Sequence, residues 1–291
     1  MNGLLIVDKP AGMTSHDVVA RVRRILDERS IGHMGTLDPM ATGVLPLLLG
    51  RFTRLAQFFG RMDKSYTGTI RFGQATDTFD AKGAPVGDAT TVVLCAEELQ
   101  AHIEHFQGEL LQTPPVYSAK KVGGRTAYSL ARKGATVELR PARITVHEFV
   151  MTSIEGEMAA FRATVSAGGY IRSLAHDLGQ RMGCGAHLAS LRRVAAGPYT
   201  EEMALGLDEI EALAKQGSIA TKMPHPRTLL PELPTTTADA AAAGRLRNGA
   251  MCNLPDFSGA TYVKVFASRH ELVAIAQRVA GTLFRPVVVI G

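Results

Sequence analysis

The chain contains no tryptophan, and its three cysteines lie far apart at Cys95, Cys184 and Cys252. An odd, scattered set does not build the disulfide framework of a small secreted domain and suits a reducing compartment. No apolar run approaches the roughly 20 residues that a membrane helix needs. The stretch Leu4 to Val7 is cut by Asp8 and Lys9, unlike a secretory leader. A cytoplasmic protein is expected. Metal binding is disfavoured, because Cys184-Gly185-Ala186-His187 has ligand-like spacing but no second pair, and structural zinc takes four ligands. The Gly-rich segment around residue 35 lacks the Lys-Ser/Thr ending of a phosphate loop, which argues against nucleotide hydrolysis. Charge is not strongly one-sided either: 32 Lys and Arg face 27 acidic residues, so a polyanionic partner is suggested by where cations sit more than by their number. They collect in Arg21 to Arg24, Lys120 to Arg132 and Arg192 to Arg193.

What is present is a chain of 291 residues, enough for one large core or a large domain with a small one. Leu4 to Val7 reads as a short buried strand. Ser15 stands where an N-cap belongs, ahead of Val18, Val19, Val22, Ile25 and Leu26 at helical spacing, with Arg21, Arg23 and Arg24 mostly off that stripe. Strands are expected at 66–72, 142–154 and 158–166, and helices at 96–106, 127–133 and 170–182. Pro224, Pro226, Pro231 and Pro234 break regular structure, so a linker is placed at 222–234. It separates residues 1–221 from a tail, 235–291, that reads as one Ala-rich helix followed by strands.

The run from Gly32 to Pro46 sets one carboxylate, Asp38, in a Gly-rich turn directly before Pro39. Glycines let a flat substrate approach the backbone, and Pro39 pushes Asp38 toward an extended conformation. Asp38 is therefore the candidate nucleophile, against the plainer reading of a cap on a following helix. Residues 114–128 combine prolines, glycines, cations and the rings of Tyr117 and Tyr128. Rings stack on bases while Lys and Arg offset phosphate charge, as looped RNA requires.

Together, Leu5-Ile6-Val7-Asp8-Lys9-Pro10-Ala11-Gly12, the Asp38 run, Lys64-Ser65-Tyr66-Thr67-Gly68, Gly169-Tyr170-Ile171-Arg172-Ser173 and Leu191-Arg192-Arg193 resemble, in order and spacing, the TruB family of tRNA pseudouridine synthases. The resemblance implies an α+β fold: a catalytic core with a large mixed or antiparallel sheet flanked by helices and loops, an RNA-gripping insertion at about 114–140, and a small C-terminal PUA-like β-rich domain. It implies an isomerase that turns the uridine at position 55 of the tRNA T-loop into pseudouridine, with no cofactor and no metal. The partner would be the tRNA T stem-loop, without a membrane or an obligatory protein partner, the chain acting as a monomer.

By the same resemblance, Asp38 is the catalytic carboxylate, Arg172 pairs with it and keeps it ionised, and Tyr66 stacks on the everted uracil and is a candidate for the late proton transfer. Tyr170 and Leu191 line the uridine pocket, and His33 lies against the T-loop. Without the resemblance, Tyr66 would be read as a core tyrosine, Arg172 as a helix-surface cation and His33 as a surface residue. Lys9, Tyr117, Lys120, Arg125, Tyr128, Arg132, Arg192 and Arg193 are expected to contact RNA, with Lys9 also supporting the floor of the site. Whether Asp38 attacks ribose or uracil stays open at this level, as does the group that takes the C5 proton. Everting the uridine costs a few kcal/mol, and stacking on Tyr66 returns about 1–3 kcal/mol. Phosphate contacts make up the rest, so tRNA binding should weaken with salt.

Two positions depart from the family pattern: Met34 where Thr is frequent, and Ala167 where a lysine would supply a phosphate contact. Two other readings remain. One is a tRNA-binding and folding protein whose pocket is vestigial or secondary. The other is a glycosidase that releases the base, disfavoured because no second carboxylate carries a motif.

Overall fold

The computed structural model describes residues 1–118, 120–131 and 138–291, with the backbone alone at 121, 126, 128 and 129. The expected calls on the Tyr128 side chain and on Arg132 lie outside the described residues.

A large sheet organises the first part of the chain. Its strands are β1 (Gly3–Lys9), β2 (Ile31–His33), β3 (Thr42–Leu49), β4 (Lys64–Phe72), β5 (Gly108–Gln112), β6 (Ala142–Glu155), β7 (Met158–Val165), β8 (Ala186–Ala196) and β9 (Tyr199–Thr200). The spatial order is β1-β3-β8-β4-β7-β6-β5, with β2 beside β3 and β9 beside β8. The pairs are antiparallel except β3 with β8, which run parallel and make the sheet mixed. Among the described residues, the helices of nine residues or more that accompany it are α1 (Ser15–Leu26), α2 (Ala96–Glu104), α3 (Ile171–Arg181) and α4 (Leu207–Lys215).

The two-residue period of β1 explains why both faces of the sheet are covered. Leu5 and Val7 join Val18, Val19 and Val22 of α1 and Ile210 of α4 in one core. Leu4 and Ile6 point the other way, into a second core with Phe266, Ile275 and Val288 from the end of the chain. Each fully buried side chain of this kind contributes about 1.5–3 kcal/mol. A charge at Val22, on the apolar stripe of α1, would forfeit such a contribution.

The cap of α1 differs from expectation. Thr14, not Ser15, is the N-cap: its side chain accepts from the Asp17 amide, and the Asp17 carboxylate accepts from the Thr14 amide, a reciprocal capping box. Ser15 is thereby released to act across the chain, donating its hydroxyl to the Leu37 carbonyl and accepting from the Leu37 amide. It ties the start of α1 to the turn that carries Asp38.

The tail is a C-terminal β-rich domain. Its elements are β10 (Thr235–Thr237), α5 (Ala240–Arg247), β11 (Cys252–Asn253), β12 (Tyr262–Phe266), β13 (Leu272–Ala280) and β14 (Leu283–Val289), with sheet order β10-β12-β13-β14-β11. It has its own core around Leu246, Val263, Val265 and Phe284. The proline segment before it is not a loose tether, since Leu229 and Leu230 are buried in the shared core and Lys264 donates to the carbonyls of Arg227 and Leu229. Among the described residues, no helix is long and apolar enough to cross a membrane.

Candidate active site

Asp38 lies in the turn between β2 and β3. A strand follows it, not a helix, so the plainer reading of a helix cap does not apply. Gly35 has φ of +94°, which a side-chain-bearing residue rarely adopts, and its carbonyl accepts from the Arg193 guanidinium. From below, Lys9 Nζ donates to the carbonyls of Pro10, Met13 and Pro39. Three anchors therefore fix this turn: Ser15, Lys9 and Arg193.

Arg172 sits in the first turn of α3 and meets Asp38 at two points, a hydrogen bond from Nη2 to Oδ1 at 3.0 Å and an ion-pair contact of Nε with Oδ2 at 2.8 Å. Its terminal nitrogens make further contacts. Nη1 donates to the Thr78 carbonyl at 3.1 Å and lies 3.7 Å from Asp80 Oδ2, while Nη2 also donates to the Tyr117 carbonyl. The Arg172 side chain is 4% exposed, whereas Asp38 keeps 32% open, so the carboxylate faces the cleft and the guanidinium stands sealed behind it. Such a fork fixes the direction of the carboxylate as well as its charge.

The cleft, of about 460 Å³, is lined by Asp38, Tyr66, His33, Tyr170, Leu191 and Lys64, among others. Tyr66 enters from β4 and Leu191 from the neighbouring β8, whose paired backbones bring them to one floor. Tyr170 caps α3 and is clamped by Gln112, which accepts from its amide at 2.8 Å and donates to its carbonyl at 3.0 Å. Ser173 holds the neighbouring segment by donating to the Thr113 carbonyl. The expected pocket set of Asp38, Tyr66, Arg172, His33, Tyr170 and Leu191 thus lines one cavity.

Burial decides the electrostatics here. It pushes the Asp38 carboxyl above its ordinary value, against the pull of Arg172, while Asp80 adds to the rise. Burial also raises the Tyr66 phenol, with the neighbouring Arg193 opposing. It lowers His33 to about 4, helped by His16, whose ring packs edge-on at 5.4 Å. His33 is therefore a neutral ring at physiological pH. Lys64 is lowered to about 8 by burial and then by Arg193.

Two expected RNA contacts, Lys9 and Arg193, are corrected by this geometry. Lys9 and Arg193 are both fully buried, and their cations are committed to backbone carbonyls, Arg193 to those of Val44 and Gly35. The reason is register: Arg193 pairs with Gly43 in the parallel ladder, where a Cβ on Gly43 would come within 2.2 Å of the Arg193 carbonyl. Arg192 points to the opposite face and is occupied by Asp8, at 3.0 Å through each of two nitrogens, and by Glu201. Tyr117 contributes its carbonyl to Arg172, and Lys120 and Arg125 are exposed.

Asp80, Thr78 and Gln112 were not singled out from sequence. Asp80 is a second carboxylate at the site, held by Arg172, by the Thr78 hydroxyl at 2.7 Å and by the Lys82 amide at 2.9 Å. A polar, turn-forming stretch around residues 77–83 is the one signal that marked it, and such stretches are common.

The family model described as TruB family pseudouridylate synthase, N-terminal domain, matches residues 23–171, and that described as tRNA pseudouridylate synthase B C-terminal domain matches residues 172–231. The tRNA pseudouridine synthase B of Solibacter usitatus is 45% identical over 292 residues, covering 99% of this chain and 100% of that relative. That of Aquifex aeolicus is 39% identical over 285 residues, covering 97% and 98%. A chain from the crystal structure of the archaeal box H/ACA sRNP Nop10-Cbf5 complex superposes with a TM-score of 0.74 at 26% identity, covering 100% of this chain and 86% of that one.

Proposed function

The chain belongs to the TruB family of pseudouridylate synthases, and from that premise we propose that it isomerises the T-loop uridine of tRNA, position 55, with Asp38 as the catalytic carboxylate. It is a tRNA pseudouridine synthase, an isomerase acting on RNA. The reaction breaks the bond from C1′ to N1 and forms one from C1′ to C5. One proton leaves C5 and one is gained at N1, so atoms and electrons balance without a redox partner.

The observation that carries the assignment of roles is the two-pronged Asp38–Arg172 pair at the base of a cleft shared with Tyr66. As the base departs, positive character develops on the sugar, and a fixed carboxylate answers it directly. Arg172 aims that carboxylate and opposes its protonation. The Tyr66 ring offers the flat surface on which the everted uracil stacks, and its phenol is the candidate for the late proton transfer. Tyr170 and Leu191 close the pocket, and neutral His33 packs against the loop that the uridine leaves.

Beyond the cleft, Lys120 and Arg125 are assigned to phosphate contacts, and the insertion at about 114–140 to gripping the tRNA. Residues 1–221 are read as the catalytic domain and 235–291 as a PUA-like RNA-binding domain. The protein would act in the cytoplasm as a monomer. The test is incubation of purified protein with an unmodified tRNA transcript, followed by position-resolved pseudouridine mapping. Asp38→Asn keeps size and hydrogen-bonding capacity but removes the charge, and the rate should fall by about a thousandfold or more. Equal pseudouridine from both proteins would remove Asp38 from the mechanism.

A further inference from the structure

Phe79 has φ of +63°, in the left-handed region that side-chain-bearing residues avoid. Its ring lies flat on His176, with centroids 3.8 Å apart and planes 15° apart. His176 follows Arg172 by four residues on α3, so both project from one face of the helix. The residues flanking Phe79 are the ones that reach Arg172: the Thr78 carbonyl accepts from Nη1, and the Asp80 carboxylate stands beside the same nitrogen.

Nothing in the chemistry of the cleft needs a phenylalanine at this bend. Glycine or asparagine would take the conformation more readily. A strained residue persists where its surroundings over-determine it, and such outliers gather at functional sites. Here the surroundings are backbone bonds, from the Phe79 amide to the Thr76 carbonyl, from the Leu188 amide of β8 to the Phe79 carbonyl and from the Ala81 amide to the Leu188 carbonyl, with the His176 ring on the other side. The imidazole is half-buried, burial lowers its pKa, and Nδ1 finds no hydrogen-bond partner among the described residues. It therefore serves as a neutral flat surface more than as a hydrogen-bonding group.

We infer that the Phe79–His176 stack is a positioning device for the reaction: it locks the strained turn onto α3, so that Thr78 and Asp80 hold the far side of the Arg172 fork while its near side aims Asp38. This rests on the proposed function of the site. Without the stack, the turn relaxes toward negative φ, the Thr78 carbonyl rotates off Nη1, and the guanidinium loses the support that fixes its plane. Small misplacements of this kind at a reacting centre cost rate far more than binding.

The experiment is single-turnover pseudouridine formation with an unmodified tRNA transcript, alongside tRNA affinity, for native protein, His176→Ala, Phe79→Ala, the double variant and His176→Phe. The expected result is a rate about tenfold lower or more in each alanine variant, with tRNA Kd within about twofold of native. The double variant should be no slower than the slower single one, because both remove the same contact. His176→Phe should restore the rate, since it returns a flat ring without an imidazole. Should an alanine variant fail to fold, Phe79→Leu, which keeps bulk but not planarity, takes its place with the same expected loss.

Native-like rates in the alanine variants would overturn the inference. So would a loss that His176→Phe does not rescue, or a raised Kd at unchanged rate, which would make the stack an RNA contact instead. A native protein that forms no pseudouridine would sink the parent reading, an outcome separable from all of these.

Discussion

Replacing Arg193 by methionine separates two roles that its place in the sequence leaves undivided. If Arg193 were a phosphate contact, the variant would fold as before and its tRNA affinity would respond less steeply to salt. The structure assigns the opposite. Arg193 Nε donates to the Val44 carbonyl at 2.7 Å and Nη2 to the Gly35 carbonyl at 3.0 Å, and the residue is fully buried. Hydrogen bonds from a charged donor contribute about 1.5–3 kcal/mol each, so two total roughly 3–6 kcal/mol. Relief from burying a cation returns part of that, leaving a net loss of about 2–4 kcal/mol. Because one hydrophobic core is shared between the large sheet and the C-terminal sheet, the chain should unfold largely as one unit. For a protein of this size the loss corresponds to a fall in Tm of roughly 3–7 °C. The assays are calorimetric unfolding and tRNA binding as a function of salt. Arg193→Met should melt early while its salt slope stays parallel to the native one. Lys120→Gln and Arg125→Gln, on exposed cations, should do the reverse, each making the slope shallower by about 0.7–0.9 at unchanged Tm. An Arg193→Met protein that melts like the native one but loses a unit of salt slope would refute the structural assignment.

Arg172→Lys keeps a positive charge but cannot form the fork to Asp38 while reaching Thr78, Asp80 and Tyr117. Its single-turnover rate should drop about a hundredfold with tRNA affinity nearly unchanged, and rapid-quench kinetics beside filter binding would detect the alternative of an affinity loss alone. His33 titrates near 4 in the folded protein, below its ordinary 6.5, so between these values the unfolded chain takes up the proton more readily. Stability from this residue is therefore full above about pH 6.5 and declines as pH falls toward 4, by at most about 2 kcal/mol between pH 7 and 5. Urea unfolding at those two pH values should show that loss in the native protein and a smaller one in His33→Asn; identical losses would mean that His33 is not held neutral.

The parts of the site that could be read along the chain are those written into short, contiguous patterns. The Asp38 turn, the Tyr66 strand and the Arg172 segment each carry their own local signal, and family resemblance joined them. Helix α1 was legible for a similar reason, since Val18, Val19 and Val22 repeat with the helical period and lie buried as that period requires. The cap was misplaced by one residue because Thr14 and Ser15 are both competent caps, and the Leu37 backbone decides between them.

Sequence alone determined which chemistry-bearing side chains the protein owns and which local elements bear them. Tertiary structure decided what each one faces. Adjacent Arg192 and Arg193 look like one basic patch when read in a line. A strand turns successive side chains to opposite faces, and the parallel pairing of β8 with β3 sends one to Asp8 and buries the other under the catalytic turn. Asp80 becomes part of the site because the turn that holds it packs on α3, far away in sequence. Neither outcome is encoded in neighbouring residues, because strand register and helix packing are set by pairings between segments distant in the chain, and these fix whether a charge meets solvent, a carbonyl or a carboxylate.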